Sequence, residues 1–143
     1  IEHGATTMWE NWDAIHPDGA VDKCSFNHYA FGCVGNFLYR RVLGIQNAGI
    51  GYDRILLDPG YGFGLGWAEG SYRSVHGEIR LRWEKTEASD GSGAAAIKVS
   101  GCIPANTEAE LVLPDGQREK LENGAFVKEY IRRCFELQMT GFH

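Results

Sequence analysis

Apolar and aromatic residues recur at Phe26, Tyr29, Ala30, Cys33, Val34, Phe37, Leu38 and Val42. Steps of three and four lay such residues along one side of a helix. Ser25 stands where a side-chain oxygen can cap the first turn, and Arg40 and Arg41 fall where cations suit the negative end of the helix dipole. Gly44 supplies the stop, so the pattern predicts one amphipathic helix over residues 25–44. Gly32 and Gly35 weaken its middle and suit the close approach of another helix. A lone amphipathic helix cannot bury its own stripe, so partners from preceding chain are expected.

After Gly44 the period changes. Residues 46–51 read as a linker, and Arg54–Leu57 is a short apolar run stopped by Asp58-Pro59-Gly60. Ile79, Leu81 and Trp83 then alternate with Arg80, Arg82 and Glu84; Ile97 and Val99 flank Lys98; Ala109, Leu111 and Leu113 are spaced by two. Alternation of this kind gives a strand one buried and one solvated face. Asp90-Gly91, Pro114-Asp115-Gly116 and Asn123-Gly124 provide turns between the strands, and His76-Gly77 reads as another. Short strands at such intervals predict an antiparallel sandwich. In the tail, Val127, Tyr130, Ile131, Cys134 and Phe135 return to helical spacing and predict a terminal helix. Near the amino terminus, Pro17-Asp18-Gly19 is a turn, while residues 6–13 fit a short helix or an ordered loop.

Composition sharpens this picture. A hydrophobic fraction of 43% suffices for a core, and 19 glycines in 143 residues imply many turns, favouring β structure over a helical bundle. A net charge of −5 with no basic stripe argues against nucleic acid as a partner. No apolar run approaches the roughly 20 residues of a membrane-spanning helix, so no membrane role is expected. The start, Ile1-Glu2-His3-Gly4, carries neither an initiator Met nor a signal-peptide pattern and reads as a cut through something longer. Cys24, Cys33, Cys102 and Cys134 are scattered without zinc spacing, which predicts free, mostly buried thiols and weakly favours a reducing, cytoplasmic setting. The five histidines are dispersed; no metal site and no cofactor are expected.

Chemically capable residues concentrate near the amino terminus: Thr6, Thr7, Trp9, Glu10, Trp12 and Asp13, with His28 following. A carboxylate among aromatics is a common way to build a sugar site, because a pyranose lays its apolar face on a ring while polar groups take its hydroxyls. From spacing alone, Glu10 fits a proton-transferring carboxylate or an ordinary capping one, and Trp9 and Trp12 fit packing as readily as ligand contact. On the later strands, Trp67, Tyr72 and Trp83 suggest a carbohydrate platform, against the simpler reading that Trp83 is core because it shares a face with Ile79 and Leu81.

The block Gly4-Ala5-Thr6-Thr7-Met8-Trp9-Glu10-Asn11-Trp12-Asp13, followed by Ser25-Phe26-Asn27-His28-Tyr29-Ala30-Phe31-Gly32, resembles the end of the catalytic barrel of glycoside hydrolase family 78, the bacterial α-L-rhamnosidases. Gly66-Trp67-Ala68-Glu69-Gly70-Ser71-Tyr72 and Pro104-Ala105-Asn106-Thr107 resemble the family's carboxy-terminal β-sandwich. The resemblance covers roughly residues 4–126; the tail and Cys33 depart from the pattern. It implies a mixed, mainly β chain, with residues 1–48 as the last part of an (α/α)6 barrel and residues 52–126 as an antiparallel β-sandwich; residues 127–143 remain a tail that the spacing alone reads as helical. It further implies an inverting glycosidase acting on a rhamnose-containing glycoside. Glu10 takes the position of the water-activating base and His28 that of a residue binding rhamnose hydroxyls, with Trp9 and Trp12 as further substrate contacts. The general acid belongs to the upstream part of the same polypeptide, so this piece alone is expected to be inactive and, with its helical stripe uncovered, to self-associate. The alternative is a non-catalytic carbohydrate-binding or structural module.

Overall fold

A computed structural model of the chain describes residues 4–131, the side chain of Phe31 excepted. The described chain divides after Leu38 into two compact units. The first is a loop and a broken helix. Residues 14–22 turn back on themselves around Pro17-Asp18-Gly19, with Ile15 bridged to Val21, and Ala14 is fully buried beneath. Residues 6–13 form an ordered loop, one of the two readings the sequence left open.

The helix is shorter and less regular than its stripe predicts. It begins at Tyr29 (α1, Tyr29–Gly32), breaks at Cys33, resumes as α2 (Val34–Phe37) and widens into a π-helical stretch over Leu38–Leu43. Ser25 does not cap it. The Ser25 hydroxyl instead accepts the Asn27 N–H at 3.2 Å, a local turn that keeps the chain out of helix until Tyr29. The break falls between Gly32 and Gly35, the residues that weaken helix most. Tyr29, Val34, Phe37 and Leu38 remain exposed. Cys33 is also exposed and Cys24 and Cys102 are half-buried; all three are free thiols, so the expectation of mostly buried cysteines fails, while Cys134 lies outside the described residues.

Gly44 ends the helix as expected, and for a steric reason. Its φ is +102°, and a Cβ there would stand 2.5 Å from the Asp58 carbonyl carbon and the Pro59 nitrogen. Only glycine lets the two segments lie this close.

Two four-stranded sheets follow, packed around one core. The strands are β1 (Ile45–Asn47), β2 (Arg54–Leu57), β3 (Trp67–Ser74), β4 (Gly77–Glu87), β5 (Ala95–Ile103), β6 (Glu108–Val112), β7 (Arg118–Leu121) and β8 (Gly124–Ile131). One sheet runs β1-β2-β6-β7 and the other β3-β4-β5-β8. All pairs are antiparallel except β2–β6, where Arg54 to Leu57 run parallel to Glu108 to Leu111. The architecture is mainly β and consistent with a β-sandwich. The apolar alternations mark the inward faces: Ile55, Leu57, Ile79, Leu81, Trp83, Val99 and Leu111 are all buried. Gln46 and Asn47, read as linker, instead belong to β1, so the sheets begin at Ile45 rather than at residue 52.

The tail reading also changes. Val127, Tyr130 and Ile131 lie on β8, not on a helix; the rest of the expected helix lies outside the described residues. The pattern misleads because Lys128 and Tyr130 alternate with the exposed Val127 and Ile131, so a charged residue occupies a half-buried position. Glu119 on β7 explains it. Its carboxylate accepts from the Lys128 ammonium and, at 2.9 Å, from the Tyr130 hydroxyl, tying the two sheets together.

Trp83 anchors the core from the middle of β4. It is fully buried, its indole N–H donates to the Val42 carbonyl at 3.1 Å, and its ring meets Tyr61 edge-on at 5.7 Å. Replacing Trp83 by Ala should therefore lower the unfolding free energy by about 3–5 kcal/mol, read as a shift in the urea midpoint; a loss under about 1 kcal/mol would contradict this placement. The Glu119 lock carries a pH signature. Lys128, then Tyr130, hold the Glu119 carboxyl below the ordinary value of 4.5. A depressed folded-state value contributes stability that is present above 4.5 and lost as pH falls through the folded value. The stability difference between wild type and Glu119→Gln, measured by urea unfolding, should thus be largest near neutrality and shrink below pH 4.5.

Candidate functional site

In residues 4–38, the segments 7–10 and 25–28 lie alongside each other, held by main-chain bonds. The Glu10 N–H donates to the Ser25 carbonyl at 2.8 Å, and the His28 N–H to the Met8 carbonyl at 2.7 Å. Between them the Thr7 hydroxyl donates to the Phe26 carbonyl. The Glu10 side chain closes back on the same ladder, Oε2 accepting the Ser25 N–H at 2.8 Å. Glu10 and Ser25 thus hold each other through a reciprocal pair that fixes both the backbone and the plane of the carboxylate. Oε1 takes no hydrogen bond among the described residues, and the carboxylate is exposed.

Aromatic rings flank this carboxylate. Trp9 is half-buried and meets Phe26 edge-on, with centroids 4.7 Å apart at 70°. His28 is half-buried, and its ring lies parallel to Tyr29 at 5.7 Å. Trp12 stands apart from the ladder, 99% exposed. The structure therefore brings Trp9, Glu10 and His28 onto one short ladder, while Trp12 is left exposed among the described residues. Within the described residues Trp9 packs and Trp12 does not.

Beyond Glu10, His16 Nε2 bonds Asp22 Oδ1 at 2.8 Å across the base of the turn. That hydrogen bond and the Asp22 charge push the His16 pKa up, with a smaller push from Asp13, against a small opposing desolvation. The pair braces the loop that carries Asp13 and Trp12. Ser25 is the partner that sequence reasoning assigned to another role, because its contribution is made by main-chain atoms that side-chain chemistry does not advertise. Among the described residues, no group of three or more His, Cys, Asp or Glu side chains is placed to hold a metal ion.

On the sheets, the suggested aromatic platform does not exist. Trp83 is buried, and Trp67 and Tyr72 point to opposite faces of β3, Tyr72 toward Tyr52 at 4.6 Å and Trp67 toward Arg82.

Two family descriptions match the chain. The bacterial alpha-L-rhamnosidase C-terminal domain matches residues 44–127, and the bacterial alpha-L-rhamnosidase 6 hairpin glycosidase domain matches residues 1–42. Among curated proteins, an alpha-L-rhamnosidase of Streptomyces avermitilis is 35% identical over 133 residues, covering 90% of this chain and 12% of the relative. One from an Alteromonas species is 35% identical over 120 residues, covering 80% of this chain and 12% of the relative. The chain thus spans about an eighth of the length of these relatives. Among solved structures, the native α-L-rhamnosidase of Aspergillus terreus superposes with a TM-score of 0.67 at 34% identity, covering 91% of this chain and 15% of that one. The Streptomyces avermitilis enzyme complexed with L-rhamnose superposes with a TM-score of 0.63 at 34% identity, covering 90% and 13%. With one of the two family descriptions spanning residues 44–127, which include all the strands except the last four residues of β8, this chain belongs to the bacterial α-L-rhamnosidase family.

Proposed function

We propose that the chain is the carboxy-terminal portion of an α-L-rhamnosidase, in which residues 1–42 complete an (α/α)6 catalytic barrel and the sheets from Ile45 onward form a supporting sandwich. Its contribution to chemistry is the general base of an inverting hydrolysis. Oε2 of Glu10 is occupied by the Ser25 N–H, which sets the carboxylate plane and leaves Oε1 to take a proton from water. The hydroxide equivalent so formed attacks the anomeric carbon from the face opposite the leaving group. A carboxylic acid on the preceding polypeptide protonates the departing oxygen, the two carboxyl groups standing roughly 6.5–9.5 Å apart to admit the water. His28 contributes polar contacts to the rhamnose hydroxyls, and Trp9 and Trp12 offer ring faces to its C–H surface. Without the acid, the chain alone does not turn over substrate.

One observation carries this reading: the reciprocal Glu10–Ser25 pair holds the carboxylate on the same short ladder as Trp9 and His28. A merely solvated carboxylate needs no such fixing. In the protein joined to its preceding domain, Glu10→Gln should lower kcat for an aryl α-L-rhamnoside by about 10²–10⁴-fold with an unchanged circular dichroism spectrum. Retention of more than a tenth of the activity would remove Glu10 from the mechanism.

The helix supports the same assignment. Tyr29, Val34, Phe37 and Leu38 are 88%, 50%, 45% and 49% exposed, an apolar stripe of the kind that the rest of a helical barrel would cover. The 143-residue chain by itself should accordingly self-associate, as seen by light scattering coupled to size exclusion, and Phe37→Glu with Leu38→Glu should restore the monomer. A wild-type monomer at high micromolar concentration would contradict this role for the stripe.

A further inference from the structure

We infer that Thr7 is a positioning residue for Glu10, its hydroxyl pinning a bulge on which the aim of the carboxylate depends. This role rests on the reading of Glu10 as the general base and adds to it a residue that acts through the carboxylate.

The bulge follows from where the main-chain bonds fall. The Glu10 N–H meets the Ser25 carbonyl and the His28 N–H meets the Met8 carbonyl, so residues 8–10 face the longer stretch 25–28. One extra residue on one side of a ladder leaves part of the backbone unmatched and bends the chain there. The Phe26 carbonyl lies within that extra length, and the Thr7 hydroxyl donates to it. Threonine hydroxyls ordinarily bond backbone a few residues away. This one reaches a carbonyl 19 positions along the chain, on the other segment.

The consequence for Glu10 is direct. Ser25, whose N–H holds Glu10 Oε2 at 2.8 Å, is the chain neighbour of Phe26. Inside the bulge the Asn27 N–H returns to Ser25 Oγ at 3.2 Å, and the Phe26 ring meets Trp9 edge-on at 4.7 Å. Those contacts shape the turn and seat the ring, whereas Thr7 ties the main chain of the bulge to the segment that carries Glu10. Without that tie the stretch 25–28 can rotate between its two end bonds, carrying the Ser25 N–H out of the carboxylate plane. A displacement of about 1 Å at a reacting group is enough to cost much of the rate. The error falls on proton transfer from water and not on holding the sugar, so it lowers kcat and spares KM.

The test is steady-state hydrolysis of an aryl α-L-rhamnoside by the protein joined to its preceding domain. Wild type is compared with Thr7→Val, Thr7→Ser, Glu10→Gln and the Thr7→Val, Glu10→Gln double variant. Thr7→Val removes the donor at nearly constant shape. It should lower kcat about tenfold, with KM within about twofold and an unchanged circular dichroism spectrum. Thr7→Ser keeps the hydroxyl and should stay within about threefold of wild type. Because Thr7 acts through the carboxylate, adding Thr7→Val to Glu10→Gln should cost less than about twofold more. Wild-type kcat in Thr7→Val beside a disabled Glu10→Gln would overturn the inference and leave Glu10 as the base. So would a further loss of about tenfold in the double variant, the mark of a residue that only supports the fold. An active Glu10→Gln would end both assignments.

Discussion

The carbonyl of Val42 accepts two hydrogen bonds, one from the Gly60 N–H at 3.1 Å and one from the Trp83 indole at 3.1 Å. Around this one oxygen the end of the helix, the turn after β2 and the centre of β4 are brought to a common point. The Tyr61 ring then packs on Trp83 while its hydroxyl donates to the Val112 carbonyl at 3.2 Å, reaching from the core to the end of β6 in the other sheet. Burial pushes the Tyr61 hydroxyl pKa up, with further pushes from Tyr130 and Asp58, so it stays a donor. A polar atom in a dry core is costly when unpaired. The sandwich answers that cost by making its largest side chain both its filler and its hydrogen-bond donor, and Gly44 allows the approach by having no Cβ.

The fold was legible where burial alone sets the sequence. The alternations at Ile79–Trp83, Ile97–Val99 and Ala109–Leu111 mark β4, β5 and β6, and the short run at Arg54–Leu57 marks β2. Four strands escaped, for physical reasons. Inward positions of β3 are Ala68, Gly70 and Tyr72, too small at the centre to register as apolar; Leu43 fills the space over Gly70, where a Cβ would come within 2.8 Å of its Cδ2. β1 is only three residues long. β7 and β8 carry their inward chemistry as Glu119, Lys128 and Tyr130, a polar cross-link whose members lie on different strands and so leave no periodic trace. In the helix, the apolar period was real but the dihedral preferences of Gly32 and Gly35 and the turn at Ser25 overrode it locally.

At the candidate site, residue types pointed to a carboxylate among aromatics, and the block resemblance raised Glu10 above its neighbours. What spacing could not supply was orientation. The carboxylate is aimed by a main-chain N–H, and any residue except proline can offer one; Ser25 was visible only through its side chain, which does something else. The separation of Trp12 from Trp9 was equally hidden. Three residues apart would share a side in a helix, but in the ordered loop that forms here Trp9 turns to Phe26 and Trp12 turns out.

The parallel pairing of β2 with β6 sets residue 54 beside residue 108, with the whole of β3, β4 and β5 between them in sequence. Hairpin neighbours in the other sheet meet after a few residues, whereas this contact must wait for a long excursion to return. Assembly therefore has a built-in order: the β3-β4-β5 meander can zip locally, and only afterwards can β6 dock and seal Ile55 and Leu57 from water. During synthesis those two side chains emerge from the ribosome well before their cover does, which makes the short β2 run the stretch most dependent on the chain being finished.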